Sequence, residues 1–365
     1  MVPIAPLQKR QVPQVLPKPT PPTQSSSQVE IASPAPHTEG WTGIGFGADG
    51  KFRVDNSALQ AAMACSWKAW CRYGLGYTTK GERAELLAGQ SAHAALEYHF
   101  SSCTGGAELG TTPLQVFDDH YRAWSQSNLA ADDKLSFQNT YTIMQRYLEE
   151  HPHLGDGKFK GMPQLTIHPE RVEVPFEVPL VASENIYLVG KIDLVPDYLN
   201  GYAICDHKTT GTINAFFKQR FKRNSQKPAY LWASRQVLDK PVLGFFINAI
   251  EFAKLPSDPK RKCGTHNLKY SECREMHAKW ELFGPYEVND FAIDSWLADA
   301  QACAIKFRDL VAAAPDLSHA QSIAQEGLFN GGCNFCEFSD PCDMGVRPHL
   351  LEANLVLQPW NPLEA

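Results

Sequence analysis

Two aspartates and a lysine in the middle of the chain have the spacing of a site that binds a divalent cation. Asp193 lies in the segment GKIDLV, and Asp206 and Lys208 lie in ICDHKTT. Two carboxylates that project together bind a hard cation such as Mg²⁺, which takes its other ligands from water and substrate phosphate. A nearby ammonium stabilises developing negative charge or positions the attacking water. Hydrolysis of a phosphodiester needs these groups.

The segments that carry these residues have the pattern of consecutive antiparallel strands. RVEVPFEVPL, NIYLVGKIDLV and GYAICDHKT alternate or run apolar, with many β-branched and aromatic side chains. The dipeptide at 200–201, Asn-Gly, predicts a turn before the last strand. A hairpin with an even, symmetric loop puts odd positions of its first strand on the same face as even positions of its second. Asp193, Asp206 and Lys208 then share one face.

Each of these residues also has an ordinary structural interpretation. Asp193 and Asp206 could be charges at strand edges that pair with Lys191 and Lys208. His93, in GQSAH, lies on a helix predicted over 83–100, where a histidine packed against a sheet is common. The pattern alone leaves both interpretations open.

Ten cysteines in a chain without a secretion signal are poorly explained by a disulfide framework, because a reducing compartment would keep such thiols reduced. Three of them crowd GGCNFCEFSDPC near the end of the chain, and two more lie far upstream in CSWKAWC. Some are therefore expected to bind a metal. The others, Cys103, Cys205, Cys263, Cys273 and Cys303, are expected in the core or at the surface, although Cys263 and Cys273 could pair with His266 or His277 in an unforeseen site.

Composition limits the class of protein. A chain of 365 residues buries a sizeable core, and a net charge of −6 argues against a surface coated in positive potential. The sequence has neither an apolar run long enough to cross a bilayer nor the apolar core of a secretory signal. We therefore expect a soluble, cytoplasmic protein without a membrane partner.

The chain divides into a tail and one domain. Residues 1–40 are rich in Pro, Gln and Ser and are expected to be disordered. Folded structure is expected from Trp41, with helices over 57–77 (containing Cys65), 83–100, 115–127, 135–149 and 291–313 and a further strand over 242–250. The expected domain, 41–350, comprises a helical part at 57–150, a catalytic core at 165–252, and a C-terminal helix and cysteine cluster at 287–345, before a tail at 351–365.

GKIDLV followed by ICDHKTT resembles the core of the PD-(D/E)XK nucleases, specifically their RecB-like branch. The resemblance extends over about 57–345 and includes GQSAH, an early cysteine, a terminal cysteine triplet, and Gln226 and Tyr230 one helical turn apart. It implies an α/β fold with a mixed central β-sheet flanked by helices, helical insertions and a closure by the C-terminal cysteines.

The resemblance also implies roles for single residues. Asp193, Asp206, His93 and the carbonyl of His207 would hold Mg²⁺ or Mn²⁺, and Lys208 would assist the attacking water. Gln226 and Tyr230 would position DNA or Lys208, although a Tyr one turn after a Gln is also ordinary helix packing.

For the cysteines, the resemblance to CRISPR-associated RecB-like exonucleases and the AddB nuclease domain implies a structural 4Fe-4S cluster. Its ligands would be Cys65, Cys333, Cys336 and Cys342. Cys71 competes with Cys65 as the first ligand. A four-cysteine zinc site is the alternative that the same residues could build.

A basic run between the last strand and Gln226 suits a phosphate backbone. Its cations interleave with aromatic side chains: Lys218, Arg220, Lys222 and Arg223 with Phe216, Phe217 and Phe221. The aromatic rings either stack on unpaired bases, which favours a single-stranded substrate, or anchor the segment to the sheet.

The resulting prediction is a metal-dependent deoxyribonuclease that acts as an exonuclease on single strands or DNA ends, in recombination, repair or DNA processing. No Gly-Lys-Thr phosphate loop is present, so a helicase would be a separate partner. The acid often found upstream of GKIDLV is ambiguous among Glu170, Glu173 and Glu177, and none is assigned a role. The rival predictions are an inactive DNA-binding subunit of a recombination or CRISPR-adaptation-like complex and a zinc-stabilised interaction protein.

Overall fold

The structure is a computed structural model. It describes residues 44–81, 83–102, 110–150, 158–159, 162–256, 260–334 and 336–363. The predicted tail at 1–40, the predicted start of the fold at Trp41, and Cys103 lie outside these residues.

The described chain alternates helical and extended segments. The strands are β1 Gly45–Phe46, β2 Phe52–Val54, β3 Tyr77–Thr79, β4 Lys158–Phe159, β5 Met162–Thr166, β6 Val172–Val181, β7 Ile186–Leu194, β8 Asp197–Tyr198, β9 Gly201–Thr210, β10 Val242–Glu251, β11 Lys279–Tyr286 and β12 Leu355–Leu357. The α-helices are α1 Asn56–Ala64, α2 Ser66–Ala69, α3 Ala84–Ser101, α4 Pro113–Asn128, α5 Phe137–Glu150, α6 Ala215–Arg220, α7 Gln226–Val237, α8 Tyr270–Cys273, α9 Asp290–Ala313, α10 Gly327–Asn330, α11 Ser339–Asp343 and α12 Pro348–Asn354. A π-helix spans Trp70–Gly74, and short 3-10 helices include Phe221–Arg223 and Arg274–His277.

A mixed sheet with helices on both faces forms the centre of the fold. β6 pairs antiparallel with β7, β9 pairs parallel with β10, and β10 pairs antiparallel with β11. Ile204 of β9 packs with α1, α7 and α9, whereas its neighbour Cys205 packs with α3, α4 and α5. Because successive side chains of a strand point to opposite faces, these two helical layers lie on opposite sides of the sheet. The predicted α/β class and mixed, helix-flanked sheet are confirmed.

Strands β7 and β9 separate at the position of the predicted site. In the described chain, their backbone ladder pairs only Leu194 with Cys205. Farther along β9, the backbone N–H of His207 donates instead to Oδ2 of Asp193, at 2.7 Å. A carboxylate thus occupies the place of a backbone acceptor, and the strands part around it.

The connection between these strands differs from the simple Asn-Gly hairpin. β8 intervenes and pairs Tyr198 with Gly201, so the turn residues are Leu199 and Asn200, one position earlier than predicted. Gly201 is required for another reason: a Cβ there would lie 2.4 Å from the carbonyl oxygen of Pro241. The register nevertheless keeps the predicted pairing of odd with even positions, because Leu194 lies opposite Cys205.

Most predicted helices and strands are found within a few residues of their expected bounds, but the helix predicted over 57–77 is wrong at Cys65. That residue has an extended backbone (φ −161°, ψ 113°) between α1 and α2. The helical spacing of apolar residues continues through Cys65, so the sequence pattern does not indicate the break between the two helices. Glu326 satisfies the new helix start, because its carboxylate accepts from the backbone N–H of Ser66 at 2.8 Å.

The tail predicted at 351–365 is instead packed against the domain through residue 363. Leu351 and Leu355 are buried, and β12 pairs antiparallel with β3. Trp360 donates from Nε1 to Oδ2 of Asp55, at 2.8 Å. The sequence around β12 does not indicate this pairing, because β12 is only three residues long and its partner β3 lies far away in the sequence. No helix of the described residues has both the length and the apolar character needed to span a membrane.

Candidate active site

A histidine and two carboxylates converge where β7 leaves β9. His93 on α3, Glu173 on β6 and Asp193 on β7 offer one donor atom each, and these atoms lie within 4.8 Å of one another. Nδ1 of His93 is 3.7 Å from Oδ2 of Asp193, and its Nε2 is 3.0 Å from the carbonyl oxygen of His207. Carboxylate, carbonyl and imidazole donors at this spacing suit one divalent cation.

Asp206 and Lys208 form a second group on β9. Nζ of Lys208 donates to Oδ1 of Asp206 at 2.7 Å, and Nε2 of Gln226 donates to the same oxygen at 3.0 Å. Gln226 also donates to the hydroxyl of Tyr230, at 3.0 Å. Since Gln226 and Tyr230 belong to α7 and His93 to α3, the site receives side chains from both helical layers through the opening between β7 and β9.

The charges of this site leave room for a cation. Lys191 pairs with Glu173 at 2.7 Å and Lys208 with Asp206 at 2.6 Å, so among the described residues no lysine forms an ion pair with the buried Asp193. The ordinary structural interpretation is therefore wrong for Asp193, because Lys191 pairs with Glu173 instead. It holds for Asp206, which pairs with Lys208. Oδ2 of Asp206 is close to Lys208 but has no donor in hydrogen-bonding geometry. A buried carboxylate at Asp193 without a described lysine in ion-pair distance fits a bound divalent cation.

Burial shapes the protonation of these groups. Burial raises the pKa of Glu173 to about 7, and the nearby charge of Asp193 adds to this rise. Burial also raises the pKa of Asp206 to about 7, although the Lys208 ammonium opposes it. For His93, burial lowers the pKa, so the imidazole is neutral near pH 7, the form that binds a metal.

His207 presents its backbone and its ring to different surroundings. Its carbonyl faces His93, whereas its ring stacks on Phe100 at 5.3 Å and accepts a hydrogen bond from Asn248 Nδ2 at Nδ1, 2.9 Å away. Burial lowers the pKa of this ring to about 3. The placement matches the expectation that His207 offers the site its carbonyl and not its imidazole.

Glu173 is the site residue that the sequence left unassigned. Glu177 is excluded because it pairs with Lys51 and Arg53 at 2.5 and 3.0 Å. Val172 lies opposite Leu194 and Val174 opposite Ile192, so Glu173 stands across from Asp193. Residues of β6 and β7 that lie equally far from a turn centred near residue 183 face each other, so this centre would have predicted the pairing of Glu173 with Asp193. The turn's position was not apparent, and Glu173 itself has φ 51°, which a regular strand pattern does not anticipate.

The basic run lies on α6 and the 3-10 helix after it. Phe217 and Phe221 are buried and anchor the segment, whereas Phe216 is 78% exposed. Lys218 forms an ion pair with Glu281, and the Arg220 guanidinium lies 5.5 Å from the centre of the Phe221 ring. Lys222 and Arg223 are exposed.

The four predicted cluster cysteines line one cavity. Cys65, Cys333, Cys336 and Cys342 belong to the wall of a space of about 410 Å³ beside Trp67 and Phe338. Among the described residues, the sets of three or more donors within 4.8 Å of one another do not include these thiols. A single tetrahedral zinc holds thiolates about 3.8 Å apart, so the cavity is better matched to a larger group such as an iron–sulfur cluster.

Hydrogen bonds join the two parts of the chain that supply these thiols. Nδ2 of Asn330 donates to the carbonyl of Ala64 at 2.8 Å, and Nε1 of Trp67 donates to the carbonyl of Ala320 at 3.2 Å. Cys71 is buried in the neighbouring hydrophobic cluster, and burial raises the pKa of its thiol. Cys65, and not Cys71, therefore faces the cavity.

The remaining cysteines separate into two classes. Cys205 is buried in the core and Cys303 is half-buried. Cys263 and Cys273 instead lie together with His266 and His277, all four donor atoms being within 4.8 Å of one another.

Comparison with known proteins yields one family. The model of the PD-(D/E)XK nuclease superfamily matches residues 56–343, well over half of the chain and including every group of the site described above. No curated protein matches the sequence.

Proposed function

The chain belongs to the PD-(D/E)XK nuclease superfamily, and we propose on this premise that it hydrolyses DNA phosphodiesters with a divalent cation, as an exonuclease on single strands or ends. One observation carries the proposal. The opening between β7 and β9 gathers His93, Glu173 and Asp193 beside the Asp206–Lys208 pair. This arrangement unites a cation site with an ammonium, as phosphodiester hydrolysis requires.

The chain's own donors define the proposed cation site. His93, Glu173, Asp193 and the His207 carbonyl would hold Mg²⁺ or Mn²⁺, and Oδ2 of Asp206 would face the same ion. When bound, the cation supplies Lewis-acid polarisation of the phosphate and activation of water. The amide of His207 fixes Asp193 by its 2.7 Å hydrogen bond, so this carboxylate is oriented before the cation arrives.

Lys208 has the role of charge stabilisation and water positioning. Asp206 holds its ammonium, and Gln226 holds Asp206 through the 3.0 Å hydrogen bond to Oδ1. Gln226, Asp206 and Lys208 are thus linked by hydrogen bonds, which would fix the position of the Lys208 ammonium relative to a bound phosphate. A fixed cation stabilises the extra negative charge that develops as the phosphodiester is attacked.

The substrate path is proposed along α6 and the following 3-10 helix. Arg220, Lys222 and Arg223 are exposed and would contact phosphates, and Phe216 would stack on an unpaired base. Lys218 is half-buried and paired with Glu281, so it would contribute to the positive surface mainly by holding this segment. The single exposed ring among the three phenylalanines supports a single-stranded substrate.

We place the chain in the RecB-like branch and assign a 4Fe-4S cluster to the cysteine cavity. The order of His93, Asp193, Asp206 and the cysteines supports the branch, and the four-thiol cavity of about 410 Å³ supports the cluster. Gly327 borders this cavity beside Cys65 and Cys333. Four thiolates suffice for such a cluster. Its role would be structural, because it joins the early helices to the end of the domain.

Recombination, repair or DNA processing, with a helicase as a separate partner, is the proposed setting, and a cytoplasmic location stays a prediction. The inactive-subunit alternative loses support because cation donors, Asp206 and Lys208 are all present and adjacent. The exonuclease proposal is tested by offering the protein equal amounts of linear and closed circular single-stranded DNA with Mn²⁺. Degradation of the linear strand alone is expected, and equal cleavage of both would show an endonuclease instead.

A further inference from the structure

The connection between β10 and β11 assembles two cysteines and two histidines that the nuclease site does not use. Sγ of Cys263 is 3.5 Å from Nδ1 of His266 and 3.1 Å from Nε2 of His277. Sγ of Cys273 is 3.5 Å from the same nitrogen of His277. All four donors lie within 4.8 Å of one another.

These distances match a tetrahedral metal site. Zinc binds thiolate sulfur at about 2.3 Å and imidazole nitrogen at about 2.0–2.1 Å, which places sulfur and nitrogen about 3.6 Å apart in a tetrahedron. Two of the sulfur–nitrogen distances are 3.5 Å, and the third is somewhat shorter. Two thiolates with two imidazoles form a donor set that selects zinc over the hard cations Mg²⁺ and Ca²⁺.

The local backbone presents these ligands in two pairs. A tight hairpin, closed by the hydrogen bond from the Cys263 N–H to the Leu268 carbonyl at 2.7 Å, carries Cys263 and His266. Within it, the backbone N–H groups of Thr265 and His266 point at Sγ of Cys263, at 3.3 and 3.4 Å. Such contacts stabilise a thiolate. The second pair, Cys273 and His277, comes from α8 and the 3-10 helix that follows.

The segment has no hydrophobic core of its own. Between residues 260 and 277, the only buried residues are Cys263 and Cys273, whereas Leu268 and Met276 are exposed. A short segment that buries almost no apolar surface cannot repay the entropy of ordering without another source of stability. A metal bound by the two buried thiols would supply it.

We propose that Cys263, His266, Cys273 and His277 bind one structural zinc ion, separate from both the nuclease centre and the cysteine cavity. The zinc orders a positively charged loop, because residues 260–279 contain six basic and two acidic side chains. The loop is also tied to the end of the strand that carries Lys208. Nζ of Lys279 donates to the carbonyl of Ile213 at 2.7 Å, and the Ile213 N–H donates to Glu251 at 2.5 Å.

Metal analysis of the full-length protein, purified anaerobically, tests the site. Wild type should contain about one zinc per chain, and His266→Ala should lose most of it while its iron content stays unchanged. His266 is exposed, so its replacement removes a ligand without opening the core. Cys303→Ser, at a half-buried cysteine outside both groups, is the matched control and should keep its zinc.

Three further variants test which side chains bind the zinc. His266→Cys restores a fourth ligand and should retain zinc. Wild-type protein loaded with Co²⁺ should show the intense visible bands of a tetrahedral ion with thiolate ligands, and these bands should be lost in Cys273→Ser. Zinc that remains in His266→Ala but disappears in Cys333→Ser would place the ion in the cysteine cavity and overturn the proposal. A Cys263–Cys273 disulfide in wild type as purified anaerobically, with no zinc bound, would overturn it as well.

Discussion

Glu173 and Asp193 stand across from each other on neighbouring antiparallel strands, and both carboxylates reach the same point as the imidazole of His93. Backbone pairing on either side, at Val172–Leu194 and Val174–Ile192, fixes this relationship. The two carboxylates are close enough to repel each other, and we propose that a bound cation, together with Lys191 at Glu173, offsets this repulsion. We therefore include Glu173 in the proposed cation site.

Replacing Glu173 should weaken cation binding. In Glu173→Gln, the Mn²⁺ concentration for half-maximal activity should rise by at least about 10-fold, the effect typical of losing even an outer partner of a metal ligand. Glu177→Gln is the matched control, since Glu177 lies on the same strand but pairs with Lys51 and Arg53. Titrating nuclease activity with Mn²⁺ measures both. An equal response of the two variants would remove Glu173 from the site.

Gln226 should act on catalysis and not on DNA binding. Its amide holds Asp206, which holds Lys208, so Gln226→Ala should lower kcat by about 10-fold and leave KM nearly unchanged. Tyr230→Phe keeps the ring and removes only the hydroxyl that accepts from Gln226, so its effect should be smaller. Steady-state kinetics on a single-stranded substrate separate the two constants. A rise in KM alone in Gln226→Ala would indicate a DNA contact instead.

Phe216 should contribute to binding of single strands. Stacking of a base on an aromatic ring contributes about 1–3 kcal/mol, so Phe216→Ala should weaken the binding of single-stranded DNA by about 5- to 150-fold. Phe291→Ala is the control, because Phe291 is also exposed, at 82% against 78% for Phe216, but lies in the first turn of α9, outside the basic run. Fluorescence anisotropy with labelled oligonucleotides measures both. Equal affinities of the two variants would contradict a stacking role.

The cysteine cavity predicts which early thiol binds iron. Cys65→Ala should lose the visible absorption of the cluster and lower the melting temperature, because a link between the early helices and the terminal segment is lost. Cys71→Ala should keep its iron, since Cys71 lies in the hydrophobic cluster. Iron analysis and absorption spectra of anaerobic protein decide between them. Loss of iron in Cys71→Ala alone would reverse the assignment.

The sequence was sufficient to predict that Asp193 of β7 lies beside Asp206 and Lys208 of β9, but it did not predict the whole site. The parity of antiparallel strands predicted that Asp193 and Asp206 lie together, and the helix with His93 follows from its apolar pattern. Glu173 depends on where the preceding turn is centred and on a backbone with φ 51°, and neither has a local signature. Pairing register is a property of two strands, so one strand's pattern leaves it open.

Long-range contacts account for the other differences. The extended backbone of Cys65 depends on contacts with the end of the chain. The neighbouring Ser66 donates its backbone N–H to Glu326, which lies 260 residues later in the sequence. Cys263 and Cys273 meet His266 and His277 only when the loop folds back on itself. The two proposals together predict that metal analysis of the purified protein finds both zinc and iron, each at its own set of ligands.

The most direct test is the nuclease activity of anaerobically purified protein on end-labelled single-stranded DNA with Mg²⁺ or Mn²⁺. Wild type should degrade the strand, and Lys208→Ala should lower kcat by about 10²- to 10³-fold, because its ammonium is held at the site by Asp206. Lys254→Ala, at an exposed lysine paired with Asp132, should remain active. No activity in folded, iron-loaded wild type, or undiminished activity in Lys208→Ala, would contradict the proposed nuclease site.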